Sequence, residues 1–191
     1  MEQAHGGIIL TASHNPKQWN ALKLLNEKGE FISAKDGGEL LKMAKKTRQS
    51  FPEVTELGNV EVKSGYIEKH IAQIVSLPLV DPEAIAKRNF KIAVDAVNSS
   101  GGLAVPQLLK ALGVKQITEI NCVPDGNFAH NPEPLPENLA DLSRTVTKSK
   151  ADLGISVDPD VDRLAFVSED GSMFGEEYTL VTVADYILKN Q

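Results

Sequence analysis

Cysteine and long apolar runs are scarce in this chain, and each scarcity excludes a class of protein. The 191 residues contain one cysteine, Cys122, which excludes a disulfide framework and a metal cage built from thiolates. A single cysteine is typical of a reducing compartment, so we expect a cytoplasmic protein. No apolar run approaches the roughly 18 residues of a membrane-spanning helix, so the sequence predicts no membrane partner.

Basic residues are also few relative to acidic ones. The chain has 20 Lys and Arg against 26 Asp and Glu, which gives a net charge of −6. Proteins that bind nucleic acids or anionic membranes generally carry a basic surface. We therefore expect no nucleic acid among the partners of this chain.

The hydrophobic pattern predicts an incomplete first domain in residues 1–78. Apolar segments at 7–10 and 21–25 predict strands, the first of them buried. Periodic apolar residues predict a helix that Asp36 caps and that ends near Arg48, and a second helix at 66–75. These elements make only a thin core, so we expect a truncated α/β domain.

From residue 79 onward, the pattern changes to strands that alternate with helices. Strands are predicted at 91–95, 116–120, 153–157 and 164–167. Helices are predicted at 101–112, 136–149 and 176–189. Helical connections imply parallel neighbours, whereas the last strand follows its predecessor too closely for a crossover and is predicted antiparallel. Residues 79–191 are therefore expected to form a three-layer α/β/α domain around a mixed sheet.

Three carboxylates alternate directly after the predicted strand at 153–157, in the run Asp158-Pro159-Asp160-Val161-Asp162-Arg163. At about 5 Å, each pair would repel by roughly 3 kcal/mol at an effective dielectric constant of 20. Carboxylate oxygens bind Mg²⁺ or Ca²⁺, and open α/β sheets bind ligands at the carboxyl ends of strands. Arg163 adds a planar cation suited to phosphate. The loop predicts a site for metal and phosphate, with a solvated acidic turn as the alternative.

Two other kinds of loop share part of this pattern. Asp158, Asp160, Asp162 and Glu169 match the acidic ligands of a calcium-binding EF-hand loop, but Arg163 stands where that loop requires glycine. The Asp-x-Asp after a strand also resembles the nucleophile loop of haloacid-dehalogenase-like phosphatases, in which Asp158 would attack phosphorus. The sequence does not locate their helical cap, and such a phosphatase is the alternative function.

A second candidate is the polar loop Thr11-Ala12-Ser13-His14-Asn15-Pro16. A loop of small residues at a strand end can present the Ser13 hydroxyl, although Ser, Asn and Pro are also common in plain turns. A serine hydrolase is not indicated, because the chain lacks G-x-S-x-G. We also do not expect the neighbouring side chains of Ser13 and His14 to hydrogen-bond as nucleophile and base. Lys23, in the next strand, is either functional or a solvated lysine.

Both loops resemble those of the α-D-phosphohexomutase superfamily, which includes phosphoglucomutase, phosphomannomutase and phosphoglucosamine mutase. The serine loop, followed by Asn20-Ala21-Leu22-Lys23, is similar to its phosphoserine loop, and residues 158–163 resemble its metal loop. Residues 94–102 and 130–139 and the run Gly175-Glu176-Glu177 resemble segments of its second domain. The resemblance extends in the same order over nearly the whole chain.

The resemblance implies an enzyme of four domains, with the later part of domain 1 in residues 1–78 and domain 2 in residues 79–191. The enzyme would interconvert hexose 1-phosphate and 6-phosphate through a phosphoserine and a bisphosphorylated sugar. Its partners would be the phosphorylated hexose and the missing domains, so we expect the isolated chain to be inactive as a mutase. A non-catalytic structural fragment is the other alternative.

The resemblance also implies a role for each site residue. Ser13 would carry the phosphoryl group, with Mg²⁺ held between it and the three carboxylates of Asp158, Asp160 and Asp162. Arg163 would contact the phosphoryl oxygens, His14 would shape the serine loop, and Lys23 would assist proton transfer. Pro159 and Val161 stand where the superfamily frequently has glycine, which predicts a stiffer backbone in the metal loop.

Overall fold

The computed structural model describes residues 2–46 and 51–190, which divide into two compact units. Unit 1 comprises residues 2–11 and the described part of 21–64. Unit 2 comprises residues 12–20 and 65–190. The domain division at residues 78 and 79 stays a prediction, because compactness alone does not define a family domain.

Unit 1 is a two-stranded ribbon with one helix. Strand β1 (Gly7–Leu10) pairs antiparallel with β2 (Leu22–Leu25), followed by α1 (Ala34–Ala44) and a short 3₁₀ turn (Val54–Glu56). The prediction that the first strand is buried is wrong, since Ile8 is 66% exposed and Leu10 75%. Within the described residues, β1 pairs only with β2, and two strands with one helix cannot cover both faces of the ribbon.

The N-cap of helix α1 lies three residues before the predicted cap, Asp36. Ser33 is the N-cap: its Oγ accepts from the Asp36 backbone N–H at 3.2 Å, and the Asp36 carboxylate accepts from the Ser33 N–H at 3.3 Å. Asp36 is therefore the acidic partner at the third helical position of a capping box, and not the cap itself. The predicted end at Arg48 lies outside the described residues.

Unit 2 contains the main sheet. Its strands are β3 (Lys91–Asp95), β4 (Gln116–Ile120), β5 (Leu153–Val157) and β6 (Leu164–Ser168). Its α-helices are α2 (Tyr66–Val75), α3 (Pro82–Arg88), α4 (Gly101–Ala111), α5 (Ala140–Ser149) and α6 (Glu176–Asn190). The strand order is β4-β3-β5-β6, with β3 parallel to β4 and β5, and β6 antiparallel to β5. The predicted mixed sheet with an antiparallel last strand is confirmed.

Alternate residues of β3 build the core on opposite faces of this sheet. Ile92 and Val94 pack in one cluster with residues of α4, whereas Ala93 packs in the other with residues of α5. A strand covered on both faces reads as a continuous apolar run, as β3 does. The layers therefore match the predicted α/β/α arrangement.

The sheet places the segments that follow β3 and β5 side by side. The parallel strands β3 and β5 are neighbours and end at Asp95 and Val157, so the residues that follow them emerge at the same edge. Residues 158–163 then connect β5 to β6. In the described part of the chain, no helix has both the length and the hydrophobicity needed to cross a membrane.

Candidate metal centre and serine loop

The acidic loop, residues 158–163, folds around the side chain of Asp158. The Asp158 Oδ1 accepts hydrogen bonds from the backbone N–H groups of Asp162 and Arg163, both at 3.1 Å. The Asp158 carbonyl accepts from the Val161 N–H at 3.1 Å. The Asp158 side chain is fully buried, so these bonds form a fixed inner frame for the loop.

The loop gathers carboxylate oxygens that fit a divalent cation. One oxygen from each of Asp158, Asp160 and Asp162 lies within 4.8 Å of the other two. The buried Asp158 Oδ2 accepts no hydrogen bond from the described residues. A buried carboxylate oxygen without a partner is costly, and a bound cation would offset that cost. Carboxylate oxygens are hard ligands, so the set suits Mg²⁺.

The ionisation of Asp158 reflects the same crowding. Burial raises the pKa of Asp158, and the charges of Asp160 and Asp162 raise it further, while the N–H of Arg163 acts in the opposite direction. The loop also lies between two strands, β5 and β6. An EF-hand loop lies between helices, so the calcium-loop alternative does not hold.

Val161 adopts a backbone conformation that glycine, the residue frequent at this position in the superfamily, adopts more readily. Its φ is +61°, in the left-handed region. For a residue with a Cβ, this conformation costs roughly 1–2 kcal/mol, and a β-branched side chain is a genuine outlier there. The acidic loop of this chain is therefore locally strained.

Residues 12–20, which include all of the serine loop except Thr11, belong to unit 2, together with the acidic loop. Ser13 has a left-handed φ of +55°, and its Oγ lies 3.1 Å from the His14 Nδ1. The expectation that these neighbouring side chains do not hydrogen-bond is wrong, because the left-handed backbone at Ser13 lets them approach. The Asn15 side chain donates to the Ala12 carbonyl at 2.8 Å and closes the turn.

Glu133 connects the two loops. Its Oε1 accepts a hydrogen bond from the Arg163 Nη1 at 2.9 Å and lies 3.8 Å from the His14 Nε2. All three side chains are partly exposed. Sequence reasoning did not assign Glu133 to the site. The signals were an acidic residue between two prolines, Pro132 and Pro134, and the resemblance of residues 130–139 to a segment of the superfamily's second domain.

The segment that carries Glu133 is held by the partly buried His130, which contacts the buried Asp95. The His130 Nε2 lies 3.1 Å from the Asp95 Oδ2, and its Nδ1 lies 2.7 Å from the Asn131 carbonyl. The hydrogen bond to Asp95 raises the pKa of His130, although burial opposes it. Both ring nitrogens face acceptors, which the imidazolium satisfies. Asn138 donates to the Glu133 carbonyl at 2.8 Å and fixes the segment from its other end.

Lys23, the fourth predicted catalytic residue, lies on β2 in unit 1, where it pairs with Ile9. Its side chain is partly buried. The roles assigned to Lys23, Ser13, His14 and Arg163 stay predictions, as does the role of the three carboxylates as metal ligands.

Comparisons with known proteins agree with the sequence resemblance. Residues 65–171 match the family model for the phosphoglucomutase/phosphomannomutase alpha/beta/alpha domain II, and residues 1–51 match that for domain I. The chain is 37% identical to a phosphoglucomutase/phosphomannomutase of Thermococcus kodakarensis, over 97% of this chain and 40% of the relative. It is 35% identical to a phosphoglucomutase of Neisseria gonorrhoeae, over 95% of this chain and 38% of the relative.

A solved structure gives the same result. The crystal structure of a phosphoglucomutase/phosphomannomutase family protein from Burkholderia thailandensis superimposes with a TM-score of 0.77 at 30% identity, over 97% of this chain and 38% of that protein. The chain thus spans about 40% of the length of the relatives it matches. With a family model that covers more than half of its residues, the chain belongs to the phosphoglucomutase/phosphomannomutase family.

Proposed function

We propose that this chain supplies the phosphoserine and metal-binding parts of an enzyme that interconverts hexose 1-phosphate and hexose 6-phosphate. The observation that carries the proposal is the Glu133 carboxylate, which meets Arg163 of the acidic loop and His14 of the serine loop. The names of the relatives, phosphoglucomutase and phosphomannomutase, support a phosphorylated hexose as the substrate.

Ser13 is the residue that carries the phosphoryl group between the two half-reactions. In the first, the bond from phosphorus to the Ser13 Oγ breaks as a bond to a hydroxyl oxygen of the hexose phosphate forms. The bisphosphorylated sugar then returns its other phosphoryl group to Ser13. His14 Nδ1, 3.1 Å from the Ser13 Oγ, is the proposed partner for the serine proton, and Lys23 is the proposed base for the sugar hydroxyl.

Arg163 and the acidic loop supply the charges that phosphoryl transfer requires. The Arg163 guanidinium is well shaped to bind two oxygens of a phosphoryl group. Asp158, Asp160 and Asp162, together with the phosphorylated Ser13, would hold Mg²⁺. The bound ion would neutralise charge on the transferring group, which is the main need in this reaction class.

The remaining partners follow from the length of the relatives. The parts of the longer relatives that this chain does not match are the proposed source of hexose recognition, so the isolated chain is predicted to be inactive as a mutase. A cytoplasmic location stays a prediction from the single cysteine.

A chimera tests the proposal. This chain would replace the matching segment of the Thermococcus kodakarensis relative, and mutase turnover and phosphate on Ser13 would be measured with Mg²⁺ and glucose 1-phosphate. We expect turnover, with phosphate mapped to Ser13 by peptide mass. Ser13→Ala abolishes both, whereas Ser76→Ala, which removes a serine hydroxyl at the end of α2, keeps both. Phosphate on another residue, with full turnover in Ser13→Ala, contradicts the proposal.

The two alternatives predict different outcomes. A phosphatase that uses Asp158 as nucleophile would lose hydrolysis in Asp158→Asn and keep it in Ser13→Ala. Family membership argues against it, as does the full burial of Asp158, whose Oδ1 is occupied by two backbone N–H groups. A non-catalytic fragment predicts a folded chimera without turnover or phosphoserine.

A further inference from the structure

Two serine side chains from outside the acidic loop hold one of its carbonyl groups. Ser99 Oγ and Ser100 Oγ both donate to the carbonyl oxygen of Pro159, at 3.0 Å and 2.6 Å. Pro159 stands between Asp158 and Asp160, which contribute two of the three clustered carboxylate oxygens. Two hydroxyl groups that are 59 and 60 residues from Pro159 in the chain therefore hydrogen-bond to the backbone in the middle of the candidate metal site.

Ser100 does not use its side chain as a helix cap. It is the N-cap residue of α4, but within the described residues its oxygen accepts no capping hydrogen bond, and its φ of −57° and ψ of −28° are helical. A serine at this position normally accepts a hydrogen bond from an N–H of the first turn. The hydroxyl instead donates to the acidic loop, so capping does not account for it.

Tight packing allows the hydroxyls to reach the loop. A Cβ built on Gly101 would lie 2.5 Å from the Val157 Cγ2 and 3.4 Å from the Val161 Cγ2. The first turn of α4 thus lies directly against the end of β5 and the acidic loop. No side chain separates Gly101 from them, because glycine has none.

The hydrogen bonds to Pro159 orient a peptide plane that carries a metal ligand. The peptide unit is planar, so holding the Pro159 oxygen also restricts the backbone nitrogen of Asp160. Proline fixes its own φ near −65°, which limits the loop further. On the inner side, the Asp158 Oδ1 holds the N–H groups of Asp162 and Arg163, while its Oδ2 faces no donor among the described residues. Ser99 and Ser100 thus restrain the loop backbone from outside the loop, in addition to the hydrogen bonds that Asp158 accepts within it.

We infer that Ser99 and Ser100 are positioning residues that set the affinity of the acidic loop for Mg²⁺. The inference rests on the proposed metal site. Removal of groups that orient metal ligands typically costs 10- to 100-fold in affinity. Because the two hydroxyls share one acceptor, either can hold the loop alone, and the loss appears mainly when both are removed.

The test is a titration of the 191-residue chain with Mg²⁺ by calorimetry, repeated with Mn²⁺ by electron paramagnetic resonance to cover weak binding. The double variant Ser99→Ala/Ser100→Ala is expected to bind at least about tenfold more weakly. Each single variant loses less, and Ser100→Thr, which keeps the hydroxyl, binds like the unsubstituted chain. Ser149→Ala is the matched control, since it removes a hydrogen bond of 2.7 Å from a serine hydroxyl to the Thr145 carbonyl in α5.

Thermal unfolding without metal shows that the variants are folded, and each binding outcome has one meaning. Equal affinity in the double variant and the unsubstituted chain overturns the inference. Asp160→Asn tests the metal site separately: if it abolishes binding while the double variant binds normally, the site stands and the serines have no role. Failure of the unsubstituted chain to bind either ion overturns both the site and the inference.

Discussion

At the scale of single residues, the acidic loop combines an unusual backbone with crowded charge. Val161 occupies the left-handed region at φ +61°, while Asp158 is fully buried with its pKa raised, first by burial and then by its acidic neighbours. The sequence shows which residues depart from the glycines frequent in the superfamily. It does not show that the backbone at one of them has a positive φ, and so it does not predict strain there.

This strain is measurable by comparing two substitutions of Val161. Val161→Gly and Val161→Ala both remove the branched side chain, but only alanine keeps a Cβ in the left-handed conformation. We expect the glycine variant to have the higher free energy of unfolding in urea, by about 1 kcal/mol. At Val183, inside α6, we expect the alanine variant to have the higher free energy of unfolding by a similar amount, because glycine is the poorer helix former. An alanine variant at 161 that equals or exceeds the glycine variant contradicts the left-handed backbone.

At the scale of elements, local patterns predicted position well and burial poorly. The strands β3 and β5 begin and end where predicted, because each is a mostly buried apolar segment. Strand β4 also has its predicted bounds, although its residues are exposed or only partly buried. The run at β1 looks the same in sequence, yet Ile8 and Leu10 are exposed, since burial depends on what packs against a strand. The helix predicted at 136–149 starts as a 3₁₀ turn (Pro136–Asn138) before α5 begins at Ala140.

The segment before α5 depends on the ion pair of His130 with Asp95, which predicts a specific dependence of stability on pH. The pKa of His130 is raised above its usual value of 6.5 in the folded state, so protonation stabilises the fold. This contribution is complete below about pH 6.5, the unfolded value, and is lost as the pH rises through the raised folded pKa. We expect the advantage of the unsubstituted chain over His130→Gln, in free energy of unfolding, to shrink as the pH rises above 6.5.

Urea unfolding at a series of pH values between about 5.5 and 8.5 measures this difference. His70→Gln, at an exposed histidine of α2, is the matched substitution control. A pH-independent advantage over His130→Gln would mean that the His130–Asp95 pair does not stabilise the fold as an ion pair.

At the scale of the whole molecule, the candidate site assembles from three separate stretches of chain. Residues 12–20, the segment around Glu133 and residues 158–163 lie in one compact unit. Each stretch contributes one member of the contact among His14, Glu133 and Arg163. A site of this kind requires the correct fold of unit 2 before any of its charges meet.

Substitution of Glu133 tests whether this assembly serves catalysis. In the chimera described above, Glu133→Gln removes the charge that holds Arg163, and a charge-assisted hydrogen bond of about 1.5 kcal/mol corresponds to a roughly tenfold loss of turnover. Glu133→Asp keeps the charge on a shorter side chain, so its turnover should lie between those of the unsubstituted chimera and Glu133→Gln. Glu137→Gln, an exposed glutamate of the same segment, is the control. Unchanged kcat and KM in Glu133→Gln would exclude a role in positioning Arg163.

The sequence by itself determined the family, the mixed α/β fold and the position of both loops, because each depends on contiguous residues. The acidic loop is an apolar strand followed by alternating carboxylates, and the serine loop is a short run around Ser13. Only the tertiary structure decided that Glu133 joins Arg163 and that Ser99 and Ser100 hold Pro159. These contacts join residues 30 to 60 positions apart in the chain. No local pattern encodes such pairs, since they meet only when the strands of the sheet bring their ends to one edge.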